Sequence, residues 1–271
     1  MNTHEIAALC NTFRADIITA LHGVQSGHPG GSLSACEILA CLYFGAANVS
    51  PDNWGDPARD RVVLSKGHSA PMLYRILAEK GFFPVEEFYT IRRLGSRLQG
   101  HPSARHTPGV EVSTGPLGVG YSAAVGLALG QRLRGYNDAR VYAVLGDGEL
   151  NEGVIWEAVM SAAKYNLTNL ITIIDHNGVQ LDGTTGEIMP SGDLAAKFAA
   201  FGCAVYTCDG HDPAALIDAL GRMKQAARPP VLLAKTIKGK GVSYMEGRAE
   251  WHGKPIDDEH YKLAMDELGN R

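Results

Sequence analysis

The sequence has no apolar run approaching the ~18 residues that a membrane-spanning helix needs, and no basic segment followed by an apolar core near its start. Neither a membrane anchor nor a cleaved secretion signal is expected. Positive charge is not in excess: 25 Lys and Arg against 29 Asp and Glu give a formal net charge of −4. That balance offers no electrostatic case for nucleic acid or an anionic membrane as partner. The five cysteines (Cys10, Cys36, Cys41, Cys203, Cys208) include no CxxC pair. They mostly stand among apolar residues, the setting of reduced core thiols in a cytoplasmic protein. Repeats, low-complexity tracts and obvious linkers are also missing. What is left is a 271-residue chain, 45% hydrophobic and 20% charged, ordinary for a globular protein and long enough to bury a sizeable core.

Short β-branched runs recur along it: 61–65, 139–146, 170–175, 203–208 and 230–236. Such runs suit strands buried on both faces. Helical segments are expected between and around them, over 3–22, 33–44, 69–80, 119–134, 152–165, 193–201 and 212–226, with a terminal helix starting near Asp257. This alternation predicts an α/β fold, a doubly wound, mostly parallel sheet with helices on both faces.

Ligands of such sheets bind beyond the carboxyl ends of the strands. Polar, Gly-flanked residues crown three of the predicted strands: Gly67-His68, Gly146-Asp147-Gly148 and Asp175-His176-Asn177. The stretch "GDGELNEG" sets Asp147, Glu149 and Glu152 between a buried-looking strand and a helix, where carboxylates are costly unless cations or strong donors meet them. Gly-Asp-Gly by itself is more often only a turn. Here an Asn follows, one helix and one strand later. An Asp carboxylate, an Asn amide and a nearby backbone carbonyl supply half of an octahedral Mg²⁺ shell, which diphosphate oxygens and water can complete. Gly148 and the helix start after it add N–H donors for an anion.

Four histidines, His28, His68, His101 and His252, sit in Gly- or Pro-framed loops. Histidine donates to sugar hydroxyls and moves protons near neutral pH, so four in such settings suggest a polyol site. His4, His22, His106, His176, His211 and His260 read as solvated surface residues. Lys238 and Lys240 of "IKGKG" read as loop cations facing phosphate or solvent, and Trp54, Trp156 and Trp251 as packing residues.

With "IIDHN", the "GDGELNEG" stretch resembles the thiamine-diphosphate motif. "SGHPGGSLSACEIL", "LSKGHSAPMLY", "GHPSARHTPGVEVSTGPLGVG" and "KTIKGKGVSYMEGRAEWHG" resemble segments of the N-terminal, diphosphate-binding part of the transketolase family. The likeness spans nearly the whole chain and implies one diphosphate-binding domain over 1–271. By position it implies that Asp147, Asn177 and the Val179 carbonyl hold Mg²⁺ (with Ca²⁺ or Mn²⁺ as substitutes). His68, Gly148 and His252 would contact the diphosphate or its surroundings, and Gly115 and Leu117 the cofactor rings. His28, His68, His101 and His252 would line the substrate channel, and Glu152 would lie at a contact between subunits near the cofactor. His176 stands where family members often carry Asp or Asn, a departure that leaves Asn177 intact.

The resemblance implies transfer of a two-carbon ketol unit from a ketose to an aldose, dependent on thiamine diphosphate and Mg²⁺. In the family the pyrimidine end of the cofactor is held by a further domain with a glutamate, for which this sequence has no segment. A separate subunit carrying the pyrimidine-binding and C-terminal domains is therefore expected, in a heterotetramer with two copies of each chain. Two other readings compete. One is the matching subunit of another thiamine enzyme, of the 2-oxo acid dehydrogenase or deoxyxylulose-phosphate synthase type. The other is a non-catalytic cofactor-binding half. The polyol histidines disfavour the first, and retention of Asp147, Asn177 and all four channel histidines disfavours the second. The donor and acceptor sugars are not legible.

Overall fold

The computed structural model describes residues 1–269. The five apolar runs form strands β1 (Arg61–Leu64), β2 (Val141–Gly146), β3 (Leu170–His176), β4 (Ala204–Asp209) and β5 (Pro230–Lys235). They make one sheet in the order β1-β2-β3-β5-β4, and every neighbouring pair is parallel. The helices are α1 (Thr3–Val24), α2 (Pro29–Ser34), α3 (Cys36–Cys41), α4 (Ala70–Glu79), α5 (Val119–Leu133), α6 (Gly153–Lys164), α7 (Thr185–Ile188), α8 (Leu194–Ala200), α9 (Pro213–Met223) and α10 (Asp258–Gly269). Sequence chemistry sets several starts. Asn2 and Glu5 close a reciprocal capping box on α1, at 2.9 and 2.8 Å. Asp193 and Asp212 cap α8 and α9, the latter with Pro213 at its first position.

Because side chains alternate across a strand, each central strand feeds two cores. Val62, Leu64, Tyr142, Val144, Ile171, Ile173, Leu232 and Ala234 pack with α1, α3, α4 and α9 on one face. Val63, Ala143, Leu145, Ile174, Val231 and Leu233 pack with α5, α6 and α8 on the other. The doubly wound arrangement is thus present, and the five strands are fully parallel.

Two expectations need correction. Run 203–208 is an edge strand and only half-buried, unlike β1 at the other edge, which is mostly buried. The helix expected over 33–44 begins earlier, at Pro29, and breaks at Ala35. Ser32 Oγ donates to the His28 carbonyl at 2.8 Å and Ser34 Oγ to the Asp175 carboxylate at 2.6 Å. A local side-chain bond such as that of Ser32 competes with a continuous helical ladder.

The carboxyl ends of β1, β2, β3 and β5 bring Lys66–His68, Asp147–Gly148, Asn177–Gly178 and Lys238 to one edge of the sheet. Chain tracing is tight there. A Cβ on Gly67 would stand 2.9 Å from the Gly115 nitrogen, and one on Gly31 would stand 2.9 Å from His68 Nε2. Glycine lets these loops meet.

Candidate functional site

At this edge lies a cavity of about 280 Å³. Ten of the eleven residues singled out in the sequence line it: His28, His68, His101, His252, Gly115, Leu117, Asp147, Gly148, Asn177 and Val179. Glu152 does not. It is exposed at the start of α6 and its backbone N–H bonds to the Glu149 carbonyl at 3.1 Å. His28 comes from the turn before α2, His68 from the turn after β1, and His101, Gly115 and Leu117 from the long connection between α4 and α5. His252 ends a short 3₁₀ turn.

Backbone donors meet the carboxylates of the acidic stretch. Asp147 is buried and accepts from the N–H groups of Gly148 at 2.8 Å and Gly178 at 2.6 Å. Burial raises its pKa, with the Gly178 bond opposing. Glu149 is equally buried. It accepts from Ser65 Oγ, from Gly118 N at 2.8 Å and from Gly146 N at 3.0 Å. It therefore ties the ends of β1 and β2 to the loop that carries Gly115 and Leu117. Burial raises its pKa also.

The four histidine rings form one cluster. Centroids of His28 lie 5.7 Å from His68, 6.0 Å from His101 and 5.2 Å from His252, and His68 lies 5.0 Å from His252. Burial, then neighbouring cations, lowers all four pKa values. His28 falls to about 4 through burial, Arg92, His101 and Lys238, and His252 to about 3 through burial and Lys238. His68 lies well below its ordinary value through burial and Lys66, and His101 is lowered by burial and Arg92. At neutral pH the rings are uncharged, each with one N–H donor and one acceptor nitrogen.

Lys66 and Arg92 escaped the sequence reading, in which Lys238 reads only as a loop cation facing phosphate or solvent. Lys66 is fully buried on the cavity wall and pairs with buried Asp175, which also takes Ser34 Oγ at 2.6 Å and Thr236 Oγ1. A lysine ending an apolar strand was its signal. Lys238 is buried, with Nζ 3.0 Å from His252 Nδ1 and bonded to the Gln180 carbonyl at 3.1 Å and the Val179 carbonyl at 3.3 Å. Burial, then the Lys66 charge, lowers its pKa to about 8. Its neighbour Lys240 is half-exposed beside Glu246 at 3.4 Å. Arg92 lies behind His28 and His101.

A larger depression of about 730 Å³ opens at the ends of β4 and β5. It holds His176 and His211. His211 is not solvated as expected: Nδ1 bonds Glu37 at 2.9 Å and Nε2 accepts from Ile237 N at 2.8 Å. His22 is likewise engaged, bonded to Asp258 at 2.8 Å and stacked on Tyr261. Cys10, Cys36 and Glu37 cluster closely enough to bind a metal, yet Glu37 is already taken by Arg14 at 2.7 Å and by His211. The smaller cavity is the candidate active site.

The donor set there fits a hard divalent cation and a diphosphate. Asp147 carboxylate, Asn177 amide and Val179 carbonyl oxygens are the ligands such a cation prefers. The Asn177 Oδ1 also accepts from Val179 N at 3.1 Å, which folds the turn so that amide and Val179 belong to one wall. Buried Lys238 beside them supplies positive charge that an anion would neutralise.

Comparison with known proteins identifies the family of the chain. The family described as "Transketolase, thiamine diphosphate binding domain" matches residues 6–271. The chain is 46% identical over 259 residues to 6-deoxy-6-sulfo-D-fructose transketolase subunit SqwG of Clostridium sp. (strain MSTE9), covering 95% of this chain and 94% of that one. It is 42% identical over 255 residues to an apulose-4-phosphate transketolase subunit of Actinobacillus succinogenes, covering 94% and 92%. The crystal structure of transketolase from Campylobacter jejuni superposes with a TM-score of 0.91 at 34% identity. That match covers 99% of this chain and 43% of the solved one, so the chain spans less than half of that enzyme's length.

Proposed function

The chain belongs to the transketolase family, within its thiamine-diphosphate-binding part, and from that premise we propose that it is the diphosphate-binding subunit of a two-subunit transketolase. The observation that carries the reading is the single cavity, in which the Asp147–Asn177–Val179 oxygens and the four-histidine cluster share walls. The relatives named as subunits have nearly the length of this chain, which supports a partner carrying the pyrimidine-binding and C-terminal parts. A heterotetramer of two copies each belongs to the same reading, as do one functional domain over 1–271 and a cytoplasmic setting. Among the described residues no helix is long and apolar enough to cross a membrane.

Asp147, Asn177 and the Val179 carbonyl hold Mg²⁺, and Gly148 and His68 face the diphosphate. Lys238 balances part of its charge, while Gly115 and Leu117 shape the wall for the rings. Thiamine diphosphate, when bound, supplies the electron sink that lets a ketose carbon–carbon bond break. The protein's share is orientation and proton handling. The neutral rings of His28, His68, His101 and His252 hydrogen-bond the hydroxyl and carbonyl oxygens of a sugar through the ring nitrogens that no protein group occupies. In this chain His28, His68 and His252 are half-buried and His101 is exposed.

The outer face of α5 supports a docked partner. Its inner residues Tyr121, Ala124 and Ala128 pack on the sheet, so the helix is partly a core element. Its outer side presents Val119 at 50% and Leu133 at 79% exposure, with open space above Gly126 and Gly130, the kind of apolar, small-residue surface that packs closely against another chain. Substrates are read from the relatives' names: an anionic ketose, sulfonated or phosphorylated, as donor. The test is to co-purify this chain with its partner and assay ketol transfer from a panel of sulfonated and phosphorylated ketoses. Turnover dependent on both Mg²⁺ and thiamine diphosphate is expected. A saturating cofactor that neither binds nor stimulates any transfer would refute the assignment.

A further inference from the structure

Arg92 occupies a backbone conformation that non-glycine residues seldom adopt, with φ 59°. Its own N–H bonds to the Leu98 carbonyl at 2.9 Å, which closes the loop between α4 and His101. The side chain runs inward to the two histidine loops. Nη1 donates to Ser26 Oγ at 3.0 Å, and Nη2 reaches the Gly100 carbonyl and His28 Nδ1, each at 3.4 Å. Gly100 has no room to spare: a Cβ there would lie 2.9 Å from Nη2. Among the described residues no carboxylate bonds to this guanidinium, and its Nε is buried without a partner. Arg92 does not line the cavity itself. It stands behind the wall and holds it.

A guanidinium has five N–H donors and no acceptor, and it keeps its charge at any pH a protein survives. The nitrogen it meets on His28 must therefore be the bare one. A proton on Nδ1 would set two donors against each other, and a doubly protonated ring would add a second positive charge. The opposite edge of the ring faces the His252 loop, where a Cβ on Gly253 would stand 3.8 Å from Cδ2 and 3.9 Å from Nε2.

The geometry points to Arg92 as a positioning residue that fixes His28 as the Nε2–H tautomer, so that His28 meets the substrate only as a hydrogen-bond donor. The consequence for the reaction rests on the proposed ketol transfer: the group His28 recognises is a sugar oxygen, carbonyl or hydroxyl, and acceptance of a hydroxyl proton falls to another ring of the cluster. The low pKa of His28 agrees, since burial and Arg92 both oppose a second proton. Arg92 touches no substrate. It acts through His28 and, by joining Ser26 and Gly100, keeps the His28 and His101 loops at a fixed separation.

The test reads the tautomer directly. The full chain is labelled with ¹⁵N-histidine, and long-range ¹H–¹⁵N correlations are recorded at pH 7, with His28 assigned by its loss in His28→Gln. A bare Nδ1 and a protonated Nε2 are expected in the unaltered chain, a mixed population in Arg92→Met, and recovery of Nε2–H in Arg92→Lys, whose ammonium is also donor-only. A His28 proton on Nδ1 in the unaltered chain overturns the inference, and so does an unchanged spectrum in Arg92→Met. In the reconstituted pair Arg92→Met should lower kcat/KM for the ketose about tenfold, the size of one lost hydrogen bond, with cofactor affinity unchanged. An equal loss of cofactor affinity overturns it, because Arg92 would then be a general structural support. If no ketol transfer is found for any variant, the activity reading fails while the spectra still decide the tautomer.

Discussion

The Lys66 ammonium is bonded to the Asp175 carboxylate with both side chains essentially excluded from water. Burial would raise the Asp175 pKa, but the Lys66 charge and the Lys66, Ser34 and Thr236 bonds hold it below the ordinary carboxylate value. The pair lies directly under the cavity and ties α2, β1, β3 and the segment after β5 together. Removing one member of a buried pair leaves an unpaired charge, at a cost of about 3–5 kcal/mol. Lys66→Met should therefore lower stability by about that amount, and Lys66→Met with Asp175→Asn by clearly less. Urea unfolding of the single and double variants measures the difference.

Asp147 supplies the only anionic oxygen of the proposed metal set, and it also holds Gly148 and Gly178. Asp147→Ala is expected to abolish Mg²⁺-dependent binding of thiamine diphosphate, and Asn177→Ala to weaken it less, since a neutral ligand is lost. Calorimetry on the reconstituted complex, with and without chelator, checks both. Near-unaltered cofactor affinity in Asp147→Ala would remove the metal assignment.

His28 and His101 line the same cavity as Asp147 and Asn177 but come from other loops, before α2 and between α4 and α5. Replacing either by Ala should raise the donor KM or lower turnover by about tenfold or more, the size of at least one lost hydrogen bond, while cofactor affinity stays within a few-fold. Parallel loss of cofactor affinity would make them supports of the fold.

The histidine cluster also sets a pH dependence. In the unfolded chain these rings titrate near 6.5, whereas folded His28 titrates at about 4 and His252 at about 3. Between these values the unfolded chain binds more protons, so stability falls as pH drops from about 6.5 towards 4. Melting temperature should decline over that range, and His28→Gln should reduce the decline. Both side chains are partly solvated, so each contributes on the order of 1 kcal/mol. Thermal melts at pH 7 and pH 5 on both proteins give the comparison.

Most of this site could be read from residue types because the relevant signals are local. A polar Gly-flanked residue ending an apolar run marks a strand's carboxyl end, and Asp147, Asn177 and His68 all carry that mark. Lys238 and Arg92 carry none. Each is an ordinary loop cation until the chain folds back: Lys238 is brought against His252, and Arg92 reaches its partners across an irregular loop through a left-handed backbone. Glu149 and Glu152 look alike in sequence, yet one is buried by three donors and the other is exposed. Glu149 lies inside the 3₁₀ turn Gly148–Asn151, whereas Glu152 follows it in an extended conformation at the start of α6. Edge position, as for β4, depends on strand order, which a strand's own residues do not encode.

The central claim is that this chain holds the diphosphate end of the cofactor and needs a second subunit for the reaction. The most direct measurement is ketol transfer by the purified chain alone and with its partner, under excess Mg²⁺ and thiamine diphosphate. The account predicts no measurable turnover from either chain by itself and full turnover when they are mixed. Robust turnover from the isolated 271-residue chain would contradict it.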